Sequence, residues 1–501
     1  MHVMSRPDSG LSMKTRTTLC WTVALVLGGL KCIVSSESIP QDAKIKEPLL
    51  LTPYINNSEY EEAKKASQVD LFKKYNVTAY SGFITVNSTC NNSLFFLFVV
   101  AEGNSSDTPV VLWTQGGPGL SALLGEFLQN GPVAYDLPTN STTLRANTLQ
   151  KNASIIYLDL PAGAGYSYKD TRDGYSKSLN DITIDAMEFL RQFFRLFWEY
   201  KSRPFYVAGE SYAARYSVSI ADSILKGRSE ESIPLKGVIG GNGFLGPILD
   251  ISDSTEFMYQ LSMLNDTGRF EFWKRFLTLR AMAKNMSLIE FVPYMLAQTI
   301  FTNITPTFFQ DWTLYNDYMS PLYTERSLSM LACLEYLNSS YIRKELHIGD
   351  AVPFQYYNMD LIYDLAPDYL KNIDSLVTNV LENTSVLLYT GQLDKLFPSV
   401  NQRNYLMSLK WAGSKEYSES KRCPWSPQTP TPYYGYAGFL RKSRNFTDAL
   451  LLGMSHYGSA EKPDEMYYLM GEFIVNTSAV ANEVSQNEVT VASRMNEINS
   501  V

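Results

Sequence analysis

Eight short runs rich in aliphatic and aromatic residues punctuate the chain: Tyr80–Val86, Leu94–Val100, Val110–Thr114, Ser154–Asp159, Pro204–Ala208, Lys236–Gly240, Val386–Tyr389 and Ala449–Leu452. Several are apolar at consecutive rather than alternate positions, as strands buried on both faces must be. The intervening stretches carry helical spacing, clearest in Asp181–Tyr200, Tyr212–Lys226 and Pro463–Val475. In the first, Ile184, Met187, Leu190, Phe194 and Phe197 recur every three or four residues, a one-sided apolar stripe. Asp181 and Asp185 sit toward its N-terminal end, where the helix dipole favours negative charge. Strand–helix alternation predicts an α/β fold with a mostly parallel central sheet flanked by helices. From about residue 250 to 345 the alternation stops and the sequence turns helical and aromatic, which predicts an inserted, mainly helical cap over a site on the sheet.

The ends set the compartment. Lys14 and Arg16 precede an apolar run, Leu19–Leu30, which Lys31, Cys32, Ser35 and Ser36 follow. That is the pattern of a removable signal peptide, and the run is too short to span a bilayer. The expected organisation is a leader over 1–36, a first core part over 37–249, the cap over 250–345, a second core part over 346–476 and a polar tail over 477–501. Asn-x-Ser/Thr sequons stand at Asn56, Asn76, Asn87, Asn91, Asn104, Asn140, Asn152, Asn265, Asn285, Asn303, Asn338, Asn383, Asn445 and Asn476. Leader and sequons together predict a glycoprotein that is secreted or delivered to a lysosome-like compartment, with no membrane attachment once the leader is removed. The formal net charge is −8 and no Lys/Arg stripe occurs, which argues against nucleic acid as a partner. Beyond the leader, Cys90, Cys333 and Cys423 remain; spacing does not choose a pairing, and no Cys/His pattern predicts a metal.

Chemistry enters at Phe205-Tyr-Val-Ala-Gly-Glu-Ser-Tyr-Ala-Ala-Arg-Tyr, a strand running straight into a helix with Ser211 at the junction. A tight turn there lifts the hydroxyl off the sheet, and the start of the helix offers free N–H groups to an oxyanion. Serine attack needs a base, and the chain has three histidines. His2 belongs to the leader. His347 lies in a helix-like stretch and reads as structural. His456 follows a strand candidate, as does Asp394, which would fix the imidazole tautomer. The order Ser211, Asp394, His456 is that of α/β hydrolases and predicts a catalytic triad on that fold.

Five segments carry a wider resemblance: Val111-Leu-Trp-Thr-Gln-Gly-Gly-Pro-Gly, Leu158-Asp-Leu-Pro-Ala-Gly-Ala-Gly-Tyr-Ser-Tyr, Gly209-Glu-Ser-Tyr-Ala, Tyr389-Thr-Gly-Gln-Leu-Asp and the stretch from His456 through Pro463. Over roughly residues 50 to 475 the chain resembles the serine carboxypeptidases, in particular the vitellogenic-like type. The resemblance implies an α/β-hydrolase fold with an inserted cap, no cofactor, and removal of single residues from the C-termini of peptides or proteins. It implies backbone N–H groups of Gly117 and Tyr212 as the oxyanion hole. It further implies Gln115, Gly116, Glu210 and Gln129 around the substrate carboxylate. An ionised Glu210 would repel that carboxylate, so it is expected to hold a proton, which favours acid. The family usually has a second acid where this chain has Gln129, so carboxylate binding is expected to fade at lower pH here. Further departures are Leu120-Ser121-Ala122, Ala214, Ser455, Ser459 and Leu160. They keep two alternatives open, a catalytically weak relative acting as a secreted binding protein and an esterase or acyltransferase. Oligomeric state, including a homodimer, also stays open.

Overall fold

The computed structural model describes residues 47–228, 232–301, 306–430 and 432–478. The expected leader lies outside them, as does the expected tail beyond residue 478. The described residues form twelve strands: β1 (Ala79–Asn87), β2 (Asn92–Val99), β3 (Val110–Thr114), β4 (Val133–Asp136), β5 (Ser141–Leu144), β6 (Ser154–Leu158), β7 (Phe205–Glu210), β8 (Leu235–Gly241), β9 (Ser385–Gly391), β10 (Cys423–Trp425), β11 (Gly438–Ser443) and β12 (Phe446–Leu451). Ten build one sheet in the order β1-β2-β6-β3-β7-β8-β9-β12-β11-β10, and β4 pairs with β5 alone. The six central strands, β6 to β12 in that order, run parallel; the pairs toward both edges are antiparallel.

Burial explains the apolar runs. Successive residues of a strand face opposite sides, and here both sides are covered. Phe96, Phe98, Leu112 and Ile156 join the core beneath the helix Leu179–Leu196, while Phe95, Leu97, Trp113 and Tyr157 join the opposite core. The helix Leu179–Leu196 begins two residues before the expected Asp181, because the Ser178 side chain accepts from the Asp181 N–H and caps it. The helix Ala213–Leu225 follows β7 after two residues, and residues 463–478 form the last helix.

All eight expected strands are present, and four more were not foreseen. β4 (Val-Ala-Tyr-Asp) and β5 (Ser-Thr-Thr-Leu) are only four residues each, too short to stand out as apolar runs. β10 is a half-exposed edge strand and β11, beside it, is also partly exposed, so polar residues are tolerated in both. Between β8 and β9 the described residues contain helices, among them Asp266–Ala283, Val292–Ile300, Phe308–Thr313 and Leu328–Leu337, and no strand. Cys90, Cys333 and Cys423 are all unpaired. Among the described residues no helix is long and apolar enough to cross a membrane.

Candidate active site

Ser211 leaves β7 with φ +59°, in the left-handed region that residues other than glycine seldom adopt. Its N–H donates to Gly241 O at 2.7 Å, which pins the turn to the end of β8. The turn works only because its neighbours are bare. A Cβ on Gly209 would stand 2.7 Å from the Ala213 Cβ, and one on Gly116 would stand 2.7 Å from the Ser211 Cβ.

Asp394 follows β9 and His456 follows β12, so all three residues emerge from the same ends of parallel strands. His456 Nε2 lies 2.9 Å from Ser211 Oγ, and His456 Nδ1 lies 2.9 Å from Asp394 Oδ2. A carboxylate only accepts, so Nδ1 carries the hydrogen and Nε2 is left to accept from the serine hydroxyl. The second Asp394 oxygen accepts from Phe397 N–H at 2.8 Å, and the Phe397 ring packs edge-on against the imidazole. Asp394 is fully buried and His456 nearly so. His347, the other histidine beyond the leader, sits past the end of the helix Ser340–Glu345 with φ +60° and hydrogen-bonds Ser81 Oγ at 2.9 Å. It takes no part in the site.

Three features of this site went unread in the sequence. Asn242 Oδ1 accepts from Gly391 N–H at 2.8 Å while its Nδ2 donates to Ser455 O at 3.0 Å, so one side chain ties the Asp394 loop to the His456 loop. Lys395 is fully buried beside Asp394 with its ammonium 3.6 Å above the Phe309 ring and no hydrogen-bond partner among the described residues. Burial pulls it down to about 7, against the pull of Asp317 and Asp394. The third is the pair of donors, Tyr389 and Ser459, that face Glu210.

Glu210 is buried and accepts from four donors: Gln129 Nε2 at 2.5 Å, Tyr389 Oη at 2.5 Å, Ser459 N–H at 3.0 Å and Ser459 Oγ at 2.8 Å. Burial, together with the Glu210 carboxylate, pushes the Tyr389 phenol well up, so it stays protonated and donates. Each of its two oxygens therefore faces at least one donor. Tyr389 and Ser459 both lie inside segments already singled out, and their donor groups were the missed signal. Gln115, buried in the same region, accepts from Trp113 Nε1 at 3.3 Å through its Oε1, which leaves its NH₂ free. A Cβ on Gly116 would fall 2.8 Å from both Glu210 O and Tyr212 N, so the segments bearing Gly117 and Tyr212 touch. Among the described residues neither the Gly117 nor the Tyr212 N–H has a protein acceptor.

A model of the serine carboxypeptidase family matches residues 70–476. The chain belongs to the serine carboxypeptidase family. It is 31% identical over 455 residues to a human protein named probable serine carboxypeptidase CPVL, a match covering 89% of this chain and 94% of that one. It is 29% identical to a venom serine carboxypeptidase of Apis mellifera (87% and 92% covered) and 28% identical to a vitellogenic carboxypeptidase of Aedes aegypti (88% and 93% covered). Among solved structures, Kex1, a prohormone-processing carboxypeptidase of Saccharomyces cerevisiae, matches with a TM-score of 0.67 at 17% identity, over 83% of this chain and 96% of that one. At that identity the likeness speaks for the fold, which is the α/β-hydrolase fold.

Membership makes the departures from the family pattern informative. A proline at 459 would have no N–H; Ser459 instead supplies two of the four bonds to Glu210. Ser121 Oγ and Ala122 N–H both donate to Asp159 Oδ1 at 2.7 Å, and Tyr166 N–H donates to Oδ2 at 2.8 Å. That carboxyl, pushed up to about 7 by burial, ties the segment after the glycines to the turn after β6. Ser455 N–H donates to Glu461 at 2.7 Å. None of these groups stands between Ser211, His456 and Asp394.

Proposed function

We propose that this protein is a secreted serine-type carboxypeptidase that releases single residues from peptide C-termini through an acyl-enzyme on Ser211. The observation that carries the reading is the continuous contact from Asp394 through His456 to Ser211, set beside a carboxylate-binding cluster of Gln115, Gly116, Gln129 and Glu210. Ser211 Oγ would attack the last peptide carbonyl while His456 Nε2 takes its proton. The oxyanion would rest on the Gly117 and Tyr212 N–H groups, each worth about 3–4 kcal/mol in the transition state. Collapse would expel the C-terminal residue as an amine that takes the proton from His456. Water, deprotonated by the same imidazole, would then free Ser211.

Selection for a chain end would come from the free amide of Gln115 and the Gly116 N–H, which donate to a carboxylate. An ionised Glu210 beside them opposes substrate binding, so the reaction favours acid. The fold favours acid too. Burial raises Glu126 to about 8, Asp159 to about 7 and Asp185 to about 6. An acid held above its unfolded value contributes stability at low pH and loses it as the pH rises through the folded value, here between about 4 and 8. Lys395 does not reverse the trend, since its cost is complete below about 7.

Secretion or delivery to a lysosome-like compartment rests on the leader and the sequons. Of the thirteen sequon asparagines among the described residues none is buried and ten are exposed, as N-linked glycans require. The helical stretch 250–345 is assigned as the cap that shapes residue preference. The test is a blocked dipeptide incubated with the purified protein between pH 4 and 7. Release of the C-terminal amino acid, lost in Ser211→Ala, is expected. Labelling of Ser211 by a fluorophosphonate without release would move the assignment to ester hydrolysis or acyl transfer, and neither result would leave a binding protein.

A further inference from the structure

A cavity that Ser211 does not line is walled by several charged side chains. It measures about 250 Å³ and lies between the helix Ser399–Ser408 and the face of the sheet formed by β9, β12, β11 and β10. Strand register sets its walls. Arg441 pairs with Asp448 across β11 and β12, and one step beyond the last β10–β11 pair, Cys423 with Leu440, Arg422 comes opposite Arg441. Two residues along, on the same face, Phe439 pairs with Leu450 and Leu450 with Thr390. Arg403 closes the cavity from the helix.

Three guanidinium groups therefore share one cavity with a single carboxylate. Like charges facing each other across strands destabilise a sheet unless something intervenes. Asp448 offsets only part of the set: Arg403 and Arg441 both attract it, but it is one carboxylate against three guanidinium groups, and its Oδ2 accepts from Tyr417 Oη at 2.7 Å. Arg441 donates instead to Tyr417 O at 3.3 Å, and Arg422 lies over the Phe439 ring. Arg403 makes no direct hydrogen bond or ion pair among the described residues. Guanidinium forks that keep donors with no protein acceptor among the described residues match the oxygens of a tetrahedral oxyanion, and the cavity has room for several times the volume of a water molecule.

We propose that this cavity is a binding site for a phosphate or sulfate group, held by Arg403, Arg422 and Arg441. Thr390 offers a hydroxyl at the inner end, and Phe439 with Leu450 forms an apolar floor on which an organic substituent would rest. Thr390 and Ser399, both on the cavity wall, flank the loop that carries Asp394, so the site borders the catalytic machinery without sharing a residue with it.

The test is isothermal titration of the full-length protein with inorganic phosphate, sulfate and phenyl phosphate, each in chloride buffer at constant ionic strength. Saturable binding with a dissociation constant at or below about 1 mM is expected. Arg403→Gln should weaken it at least about tenfold, Arg403→Lys less, and Lys274→Gln, on the distant helix Asp266–Ala283, not at all. Tighter binding of phenyl phosphate than of phosphate would identify an ester as the ligand; equal binding would identify the free anion. Absence of saturable heat with all three probes, equal affinity in Arg403→Gln, or equal loss in Lys274→Gln would overturn the proposal. The wild-type titration decides the matter even if a variant fails to fold.

Discussion

Replacing Asn242 probes whether two loops are held in catalytic register by one side chain. Its Oδ1 takes the Gly391 N–H and its Nδ2 gives to Ser455 O; Asn242, Gly391 and Ser455 are all buried. Removing the amide leaves the buried Gly391 N–H unpaired, at about 1–3 kcal/mol, while Ser455 O keeps the Gly458 N–H at 3.2 Å. Asn242 also sits at φ +43°, so alanine adds about 1 kcal/mol of backbone strain that glycine does not. Asn242→Ala is therefore expected to cost roughly 2–4 kcal/mol in all. A chain of this size loses about 1 °C of melting temperature per kcal/mol, at ~2.1 cal/mol/K of unfolding entropy per residue, so scanning calorimetry should record a fall of about 2–4 °C. Asn242→Gly should fall less. Asn242→Asp keeps the acceptor for Gly391 but sets a carboxylate against Ser455 O. Because Gly391 leads to Asp394 and Ser455 precedes His456, kcat on a blocked dipeptide should drop by about tenfold to a hundredfold, with KM moving less. Melting within about 1 °C of the parent, together with kcat within about twofold, would refute the reasoning.

Gln129→Glu sets a second carboxyl against Glu210, where the amide nitrogen is now 2.5 Å away. Two carboxyls at that distance share a proton, so the alkaline limb of kcat/KM should move up by about one pH unit or more; an unmoved limb would exclude Glu210 from substrate binding. Glu126 is held at about 8 against an ordinary 4.5 by burial, so it destabilises the fold progressively from pH 4.5 to 8. Glu126→Gln should thus raise the melting temperature at pH 7 and leave it nearly unchanged at pH 4; an equal shift at both would show that its charge is not the cause. Asp394→Asn should lower kcat by about 10⁴ through the wrong imidazole tautomer while melting close to the parent, and activity within tenfold of the parent would remove Asp394 from the mechanism.

What could be read in the chain depended on how locally each feature is encoded. Strands β3, β6 and β7 are apolar at nearly every position because both faces are covered, and such runs are visible without a fold. The edge strand β10 and its neighbour β11 are not, since both leave part of their surface to solvent; β11 is Gly-Phe-Leu-Arg-Lys-Ser. The adjacency of Ser211 and His456 was legible for a different reason: serine chemistry calls for a base, and histidine is rare in this chain. Asn242, Tyr389 and Ser459 had no such arithmetic. Asn242 reaches a carbonyl 213 residues along the chain, and Ser459 reaches Glu210 across 249. Both have side chains that are common in loops, and nothing in their immediate neighbourhood distinguishes them. Their importance follows from convergence. Strands β7, β8, β9 and β12 lie side by side and end together, so the residues just past each end, Ser211, Asn242, Asp394 and His456, must meet whatever their spacing in sequence. Once strand order is known, the residues following adjacent parallel strands become candidates for one site, and Asn242 is the member of that set which residue chemistry alone would not have chosen.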